Sequence, residues 1–165
     1  MNLILKSTKT EPTDYETRNT TKAVVVDDDG KTMLFTWNLI GGGVDEGETF
    51  EKALHREALE EAGMEIEILK PLGEVTAYRD FLKKKYVIKG FLCKYIKTIG
   101  EPTTTDDAEK ARPLLVENPK DSIARLEKQI ENLEKENPDK YEGDIYQAHL
   151  YNQQITLAFL KEAFK

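Results

Sequence analysis

The chain has 165 residues, of which 39% are hydrophobic and 33% charged, a composition typical of a soluble globular protein. Its formal net charge is −7, from 31 acidic and 24 basic residues, which argues against non-specific binding to a nucleic-acid backbone because such binding needs clustered Lys and Arg. No segment approaches the length of a membrane span, so we expect neither a nucleic acid nor a membrane as a partner, and a cytoplasmic location by default.

The length predicts one domain over residues 1–165. Residues 21–26 and 32–36 are typical of two β-strands, joined by a turn over residues 27–30. A short segment from Trp37 leads into a run of three glycines that begins at Gly41. We then predict a helix over residues 50–62, with Thr49 as its N-cap and Gly63 as its C-terminal stop.

Beyond this helix, residues 65–69, 73–78 and 86–96 are predicted strands. The last two form an antiparallel hairpin whose tip is the basic run Lys83, Lys84 and Lys85. Residues 99–113 are polar and unusually long for a loop, which makes them a candidate substrate-facing segment. Residues 114–116 are predicted to form a short returning strand.

The last third of the chain is predicted to be a helical hairpin over about residues 121–165. Ser122 is the expected cap of its first helix, in which apolar residues recur at steps of three and four, and residues 146–164 form the second. With barely two heptads, the first helix is better interpreted as a cover for the sheet than as a coiled-coil partner site. A homodimer, and a protein-interaction role for these helices, are left open.

The segment from Gly42 to Met64 reads GGVDEGETFEKALHREALEEAGM. On a helix, Glu57, Glu60 and Glu61 fall within an arc of about 100°. Like charges at these spacings destabilise a helix by roughly 0.2–0.5 kcal/mol per pair. A hard divalent cation with oxygen ligands resolves the conflict, so we predict a metal-binding face that takes Mg²⁺, with Mn²⁺ as an alternative.

The same segment resembles the Nudix box, in which a glycine, a glutamate and the pattern Arg-Glu-hydrophobic-any-Glu-Glu-any-Gly-hydrophobic recur at fixed spacing. Ala58 and Met64 occupy the two hydrophobic positions, and every fixed position matches: Gly42, Glu48, Arg56, Glu57, Glu60, Glu61 and Gly63. The resemblance to Nudix (MutT-like) hydrolases implies an α/β fold, the Nudix α/β/α sandwich with a mixed β-sheet, followed here by a C-terminal helical segment.

The resemblance also implies a reaction, the metal-dependent attack of water on the diphosphate linkage of a nucleoside diphosphate derivative or nucleoside triphosphate. Glu60 and Glu61 would be the principal metal ligands, with Glu57 a ligand or the general base. Gly41 would add a carbonyl ligand, and Glu109, in the long polar loop, is the chosen candidate for a further catalytic acid.

Other box residues receive supporting roles from the same resemblance. Glu48 and Arg56 would form a structural ion pair, and Gly63 would end the helix. Gly42, Gly43 and Arg56 are the candidate substrate-binding residues, although for Arg56 a scaffold role is favoured over a phosphate clamp.

The chain departs from the family pattern at three places. Ile40 stands where a proline usually precedes the glycines, which suggests a less rigid turn. The segment from Trp37 to Gly41 is short, so contacts to the nucleobase are expected to be reduced or supplied elsewhere. Leu114 and Leu115 stand where a tryptophan is common.

Two alternatives to this function follow from the same residues. Tyr78 lies near the place of a tyrosine in some dinucleoside-polyphosphate hydrolases, but a strand tyrosine is more often a packing residue. A Nudix-fold sensor that binds a nucleotide without cleaving it is the main rival to the enzyme. Because all the box glutamates are present, the enzyme is favoured.

Overall fold

A single mixed sheet forms the centre of the computed structural model, which describes residues 1–6, 12–104 and 113–165. Its strands lie in the order β1-β4-β5-β2-β3-β6, where β1 is parallel to β4, β2 is parallel to β5, and the other neighbours are antiparallel. The strands are β1 (Asn2–Leu5), β2 (Glu16–Val26), β3 (Thr32–Phe35), β4 (Met64–Arg79), β5 (Lys84–Thr98) and β6 (Leu114–Glu117). The helices are α1 (Phe50–Ala62), α2 (Pro119–Glu134) and α3 (Ile145–Ala163), with a 3₁₀ helix (Pro138–Lys140) between the last two.

Both faces of the sheet are covered by helices. Because side chains alternate along a strand, Ala23 and Val25 of β2 pack towards α1 while Val24 packs towards α2 and α3. Phe159 of α3 lies so close to Gly90 of β5 that a β-carbon there would be 2.2 Å from the ring. The predicted α/β/α sandwich with a mixed sheet is therefore present.

Helix α1 begins and ends where the sequence predicts. The Thr49 hydroxyl accepts a hydrogen bond from the Lys52 N–H, and Gly63 has a left-handed conformation with a φ of 58°. Leu54 and Ala58 are fully buried against the sheet. This fixes the rotation of the helix, so that its acidic residues lie towards the glycine loop.

The strand predictions are correct in kind but wrong in several boundaries. Residues 65–69 and 73–78 belong to one strand, β4, which irregularities in the pairing near Pro71 and Gly73 interrupt without ending it. The hairpin turn lies at residues 80–83, so Lys84 and Lys85 belong to β5 rather than to the tip. Strand β1 and the first five residues of β2 were not predicted.

The start of α2 also differs from the prediction. The helix begins at Pro119, after Asn118 as N-cap, because proline at the first helical position needs no hydrogen-bonded N–H. Ser122 is instead buried inside the helix, where its hydroxyl bonds with Thr32 and Glu117. Helix α3 covers the predicted second segment to within one residue at each end. Among the described residues, no helix is long and apolar enough to cross a membrane.

Candidate active site around the glycine loop and helix α1

Arg56 connects the glycine loop to the acidic face of α1. Its guanidinium donates two hydrogen bonds to the Glu48 carboxylate, at 3.2 and 3.0 Å, and one of 2.8 Å to the Gly43 carbonyl. The Nη1 atom of Arg56 donates to Glu57 at 2.8 Å and to Glu60 at 3.2 Å. The predicted ion pair is thus present, and the hydrogen bonds from Arg56 hold the pKa of Glu48 below its ordinary value.

Glu57 lies directly against the backbone of Gly42. A β-carbon at Gly42 would be 2.5 Å from a carboxylate oxygen of Glu57, so any larger residue there would force this carboxylate to move. Burial raises the pKa of Glu57 and outweighs the opposing hydrogen bond and charge of Arg56. The carboxylate is therefore partly stripped of water, a condition in which a bound cation is most effective.

The other two box glutamates point to different neighbours. Glu60 is half exposed and touches Arg56, whereas Glu61 is buried and accepts a 2.8 Å hydrogen bond from the Gly41 N–H. Among the residues that the structure describes, no three acidic, histidine or cysteine side chains are gathered closely enough to hold a metal ion. Glu109 lies outside the described residues, together with Asp106 and Asp107.

Every backbone carbonyl of residues 36–43 accepts a hydrogen bond. Four of the eight bonds come from cationic side chains, two of them from Lys22. Donors from other parts of the chain hold this turn, and the effect of Ile40 on its rigidity stays a prediction. In order from residue 36, the donors are Arg125, Thr156, the Phe35 N–H, Lys22, the Ala23 N–H, Lys22, the Thr21 N–H and Arg56.

A cavity of about 370 Å³ opens beside this loop, on the side of the sheet that α3 covers. Gly42 and Gly43 form part of its wall, so it adjoins the position of Glu57. Its polar lining consists of three cations, two amides and two tyrosines, with Thr20 beside them. They are Arg18, Lys22, Arg79, Asn38, Asn152, Tyr86 and Tyr151.

The cations of this cavity are held in different ways. The Arg79 guanidinium is paired with Asp144, with one bond of 2.7 Å, and lies over the ring of Tyr86. Lys22 donates to the carbonyls of Leu39, at 3.1 Å, and Gly41. The cavity wall therefore contains three cations, one of which is already paired with a carboxylate, in a chain that as a whole is acidic.

Gly42 and Gly43 were predicted as substrate-binding residues, but the other residues that line the cavity were not singled out from the sequence. Arg18, Thr20 and Lys22 lie on one face of β2, but Asn19 and Thr21 between them are polar too, so no alternation in the sequence marked this face. The short segment after β3 contributes Asn38, while much of the opposite wall comes from α3. Tyr78 is 1% exposed and packs near Tyr15, in agreement with a packing role.

Comparison with known proteins identifies the family. The NUDIX domain matches residues 16–134, which is more than half of the chain and includes the whole box. The chain belongs to the NUDIX family. Helix α3, which supplies part of the cavity wall, lies beyond the matched residues of this NUDIX protein.

A curated relative and two solved structures show how far the likeness extends. The "Oxidized purine nucleoside triphosphate hydrolase" of Danio rerio is 32% identical over 71 residues, which span 43% of this chain and 44%, less than half, of that relative. A NUDIX hydrolase from Nitrosomonas europaea has a TM-score of 0.55 at 19% identity, over 67% of this chain and 78% of its own. A UDP-X diphosphatase has a TM-score of 0.53 at 17% identity, over 97% of this chain and 68% of its own. The two structures support the NUDIX fold.

Proposed function

We propose that this protein hydrolyses the diphosphate linkage of a nucleoside diphosphate derivative or a nucleoside triphosphate, in a reaction that depends on Mg²⁺ or Mn²⁺. One observation carries the proposal. The box carboxylates of Glu57 and Glu60 are held by Arg56 beside Gly42, and Gly42 is also a wall of a cation-lined cavity. Carboxylates that can bind a metal ion thus lie next to a cavity whose cations can bind phosphate.

The oxygen atoms around the glycine loop suit a hard divalent cation. Carboxylates from Glu57, Glu60 and Glu61 and the Gly41 carbonyl are oxygen donors of the kind that magnesium takes. Two of these carboxylates already face the guanidinium of Arg56, and the carbonyl faces the ammonium of Lys22. In the structure the three carboxylates are not gathered closely enough to hold an ion, so a bound cation would have to draw them together. With that movement, these four residues are the proposed metal-binding set.

A divalent cation bound there supplies polarisation of the phosphoryl oxygens and a stronger water nucleophile. The residues of the chain position the carboxylates and accept the proton that water loses. Arg56 keeps the acidic face of α1 against the loop, and Gly42 leaves Glu57 room beside the cavity. Glu57 acts as ligand or as the base that takes a proton from water, and Glu109 remains a proposed further acid.

The cavity lining supports a nucleotide as the substrate. Arg18 and Lys22 can attract phosphate groups, whereas the charge of Arg79 is already balanced by Asp144. The amides of Asn38 and Asn152 can bond with the edges of a base. The names of the relatives add two substrate classes to test, oxidised purine nucleoside triphosphates and UDP derivatives.

The test is a hydrolysis screen, read by chromatographic separation of the nucleotide and phosphate-ester or pyrophosphate products, with Mg²⁺ or Mn²⁺ over nucleoside triphosphates, their oxidised purine forms, nucleotide sugars, ADP-ribose and dinucleoside polyphosphates. We expect turnover of at least one compound, complete loss with EDTA, and a decrease of at least about a hundredfold for Glu60→Gln. Glu51→Gln is the matched control, because Glu51 is an exposed glutamate in the first turn of the same helix. Metal-independent turnover would refute the metal dependence, whereas no turnover with any compound would refute the hydrolase and favour a nucleotide sensor.

Three further statements stay predictions. They are the single domain over residues 1–165, the cytoplasmic location and the homodimer.

A further inference from the structure

The ammonium group of Lys22 contacts the Gly41 carbonyl, which is one of the proposed metal ligands. The residue lies in β2, on the face that lines the cavity, between Arg18 and the sheet core. Its ammonium donates to the carbonyl of Leu39 at 3.1 Å and to that of Gly41. The second bond uses the oxygen that a divalent cation would need.

The surroundings of this ammonium are rich in oxygen. The amide of Gly41 donates to Glu61 at 2.8 Å, so the same peptide region joins Lys22 to a box carboxylate. Burial raises the pKa of Glu57, and the charge of Lys22 is among the influences that oppose this rise. An internal cation therefore balances the acidic residues of the site.

We propose that Lys22 is a built-in counter-ion of the metal site, which a divalent cation must displace from the Gly41 carbonyl. An ammonium and a divalent cation repel each other, so they cannot share one carbonyl oxygen. The displaced ammonium has the cavity beside it, where an anionic substrate can receive it. This inference rests on the proposed function, since it assumes that Gly41 and the box glutamates bind metal.

Two consequences follow from this exchange. In the absence of substrate, the affinity for metal is scaled down to the fraction of time in which the Gly41 carbonyl is free of the ammonium. A phosphate group in the cavity attracts the ammonium away from that carbonyl, so substrate and metal each strengthen the binding of the other.

The experiment measures Mn²⁺ binding without nucleotide, from the electron paramagnetic resonance signal of unbound Mn²⁺. If the ammonium occupies the carbonyl for about nine-tenths of the time, Lys22→Met tightens Mn²⁺ binding about tenfold. Lys22→Arg, which restores a cation and donors, stays near the wild-type affinity. Arg18→Met is the matched control, because it removes a charge from the same face of β2 without touching Gly41, and it changes the affinity less than about threefold.

The possible outcomes separate this inference from the proposed function. Wild-type protein that binds Mn²⁺ and hydrolyses nucleotides, with Lys22→Met binding no tighter, overturns the exchange and leaves the enzyme standing. Weaker binding by Lys22→Met would overturn it as well, since Lys22 would then only support the loop. An absence of both Mn²⁺ binding and turnover in every variant overturns both.

A second measurement needs no substitution and covers the case in which Lys22→Met does not fold. During a Mg²⁺ titration of the wild-type protein, the NMR signals of the Lys22 ε-methylene and the Gly41 amide should shift along the same saturation curve. A Lys22 signal that stays constant while the Gly41 amide shifts would contradict the exchange.

Discussion

Replacing Gly42 with alanine tests whether the position of Glu57 matters for activity. The new β-carbon would lie 2.5 Å from one carboxylate oxygen of Glu57 and 2.6 Å from the other, whereas ordinary contacts begin at 3.4 Å. Gly42 has no positive φ, so alanine introduces no backbone strain. The substitution therefore acts on one side chain rather than on the conformation of the loop.

The expected size of the effect follows from this overlap. The carboxylate must retreat by about 1 Å, and a displacement of that size in a catalytic group lowers activity by roughly a hundredfold, or about 2.7 kcal/mol. The retreat also weakens the 2.8 Å bond from Arg56, while Glu57 regains contact with water. We expect a loss of stability below about 2 kcal/mol, which shifts Tm by less than about 8 °C in a chain of this length.

The assay compares steady-state hydrolysis of the best substrate, at saturating Mg²⁺, with thermal unfolding. Gly100→Ala is the control, because its β-carbon would meet nothing within 4 Å and Gly100 has no positive φ. It should retain activity within about threefold of the wild type. Folded Gly42→Ala with near-normal activity would refute the reasoning, and so would an equal loss in Gly100→Ala.

Three further predictions concern ionisation and binding. The pKa of Glu57 is raised, mainly by burial, so the ionised group destabilises the fold at a pH above that pKa. Glu57→Gln should therefore raise the urea midpoint of the metal-free protein at pH 7. A lowered midpoint would contradict this prediction. The pKa of Glu48 is lowered, chiefly by Arg56, so its stabilisation is complete above about pH 4.5 and is lost as the pH falls through the lower folded-state value. Glu48→Gln should accordingly flatten the decline in unfolding free energy below pH 4.5, and an unchanged decline would count against the ion pair. Trp37 is the only tryptophan, is 40% exposed and packs near His149. It precedes Asn38 of the cavity wall, so nucleotide binding should change its fluorescence in a saturable manner. Constant emission at saturating nucleotide would place the nucleotide elsewhere.

The parts of the fold that local signals determine were predictable from the sequence. Helix α1 is the clearest case, since Thr49 and Gly63 mark its ends through bonds to residues within a few positions. Ser122 shows the opposite situation. Its side chain suits an N-cap, but Pro119 starts the helix earlier and Thr32, distant in the sequence, takes up the hydroxyl.

Strand β1 was missed for a related reason. It joins the sheet through parallel pairing with residues 74–77 of β4, and the sequence of four residues alone does not indicate such a long-range contact. Some residues of the candidate site were likewise predictable from local sequence and others were not. The box glutamates follow from their spacing, whereas Lys22 and Asn152 enter the site only because β2 and α3 meet beside the glycine loop.

The carbonyls of residues 36–43 also have a consequence for the order of events during synthesis. Arg125 lies 89 residues beyond Thr36, and Thr156 lies 119 residues beyond Trp37, whose carbonyls they hold. The box glutamates leave the ribosome long before these two donors. A nascent chain therefore carries its acidic helix while the neighbouring loop lacks part of its support, and the site becomes complete only when α3 has been made and has docked on the sheet.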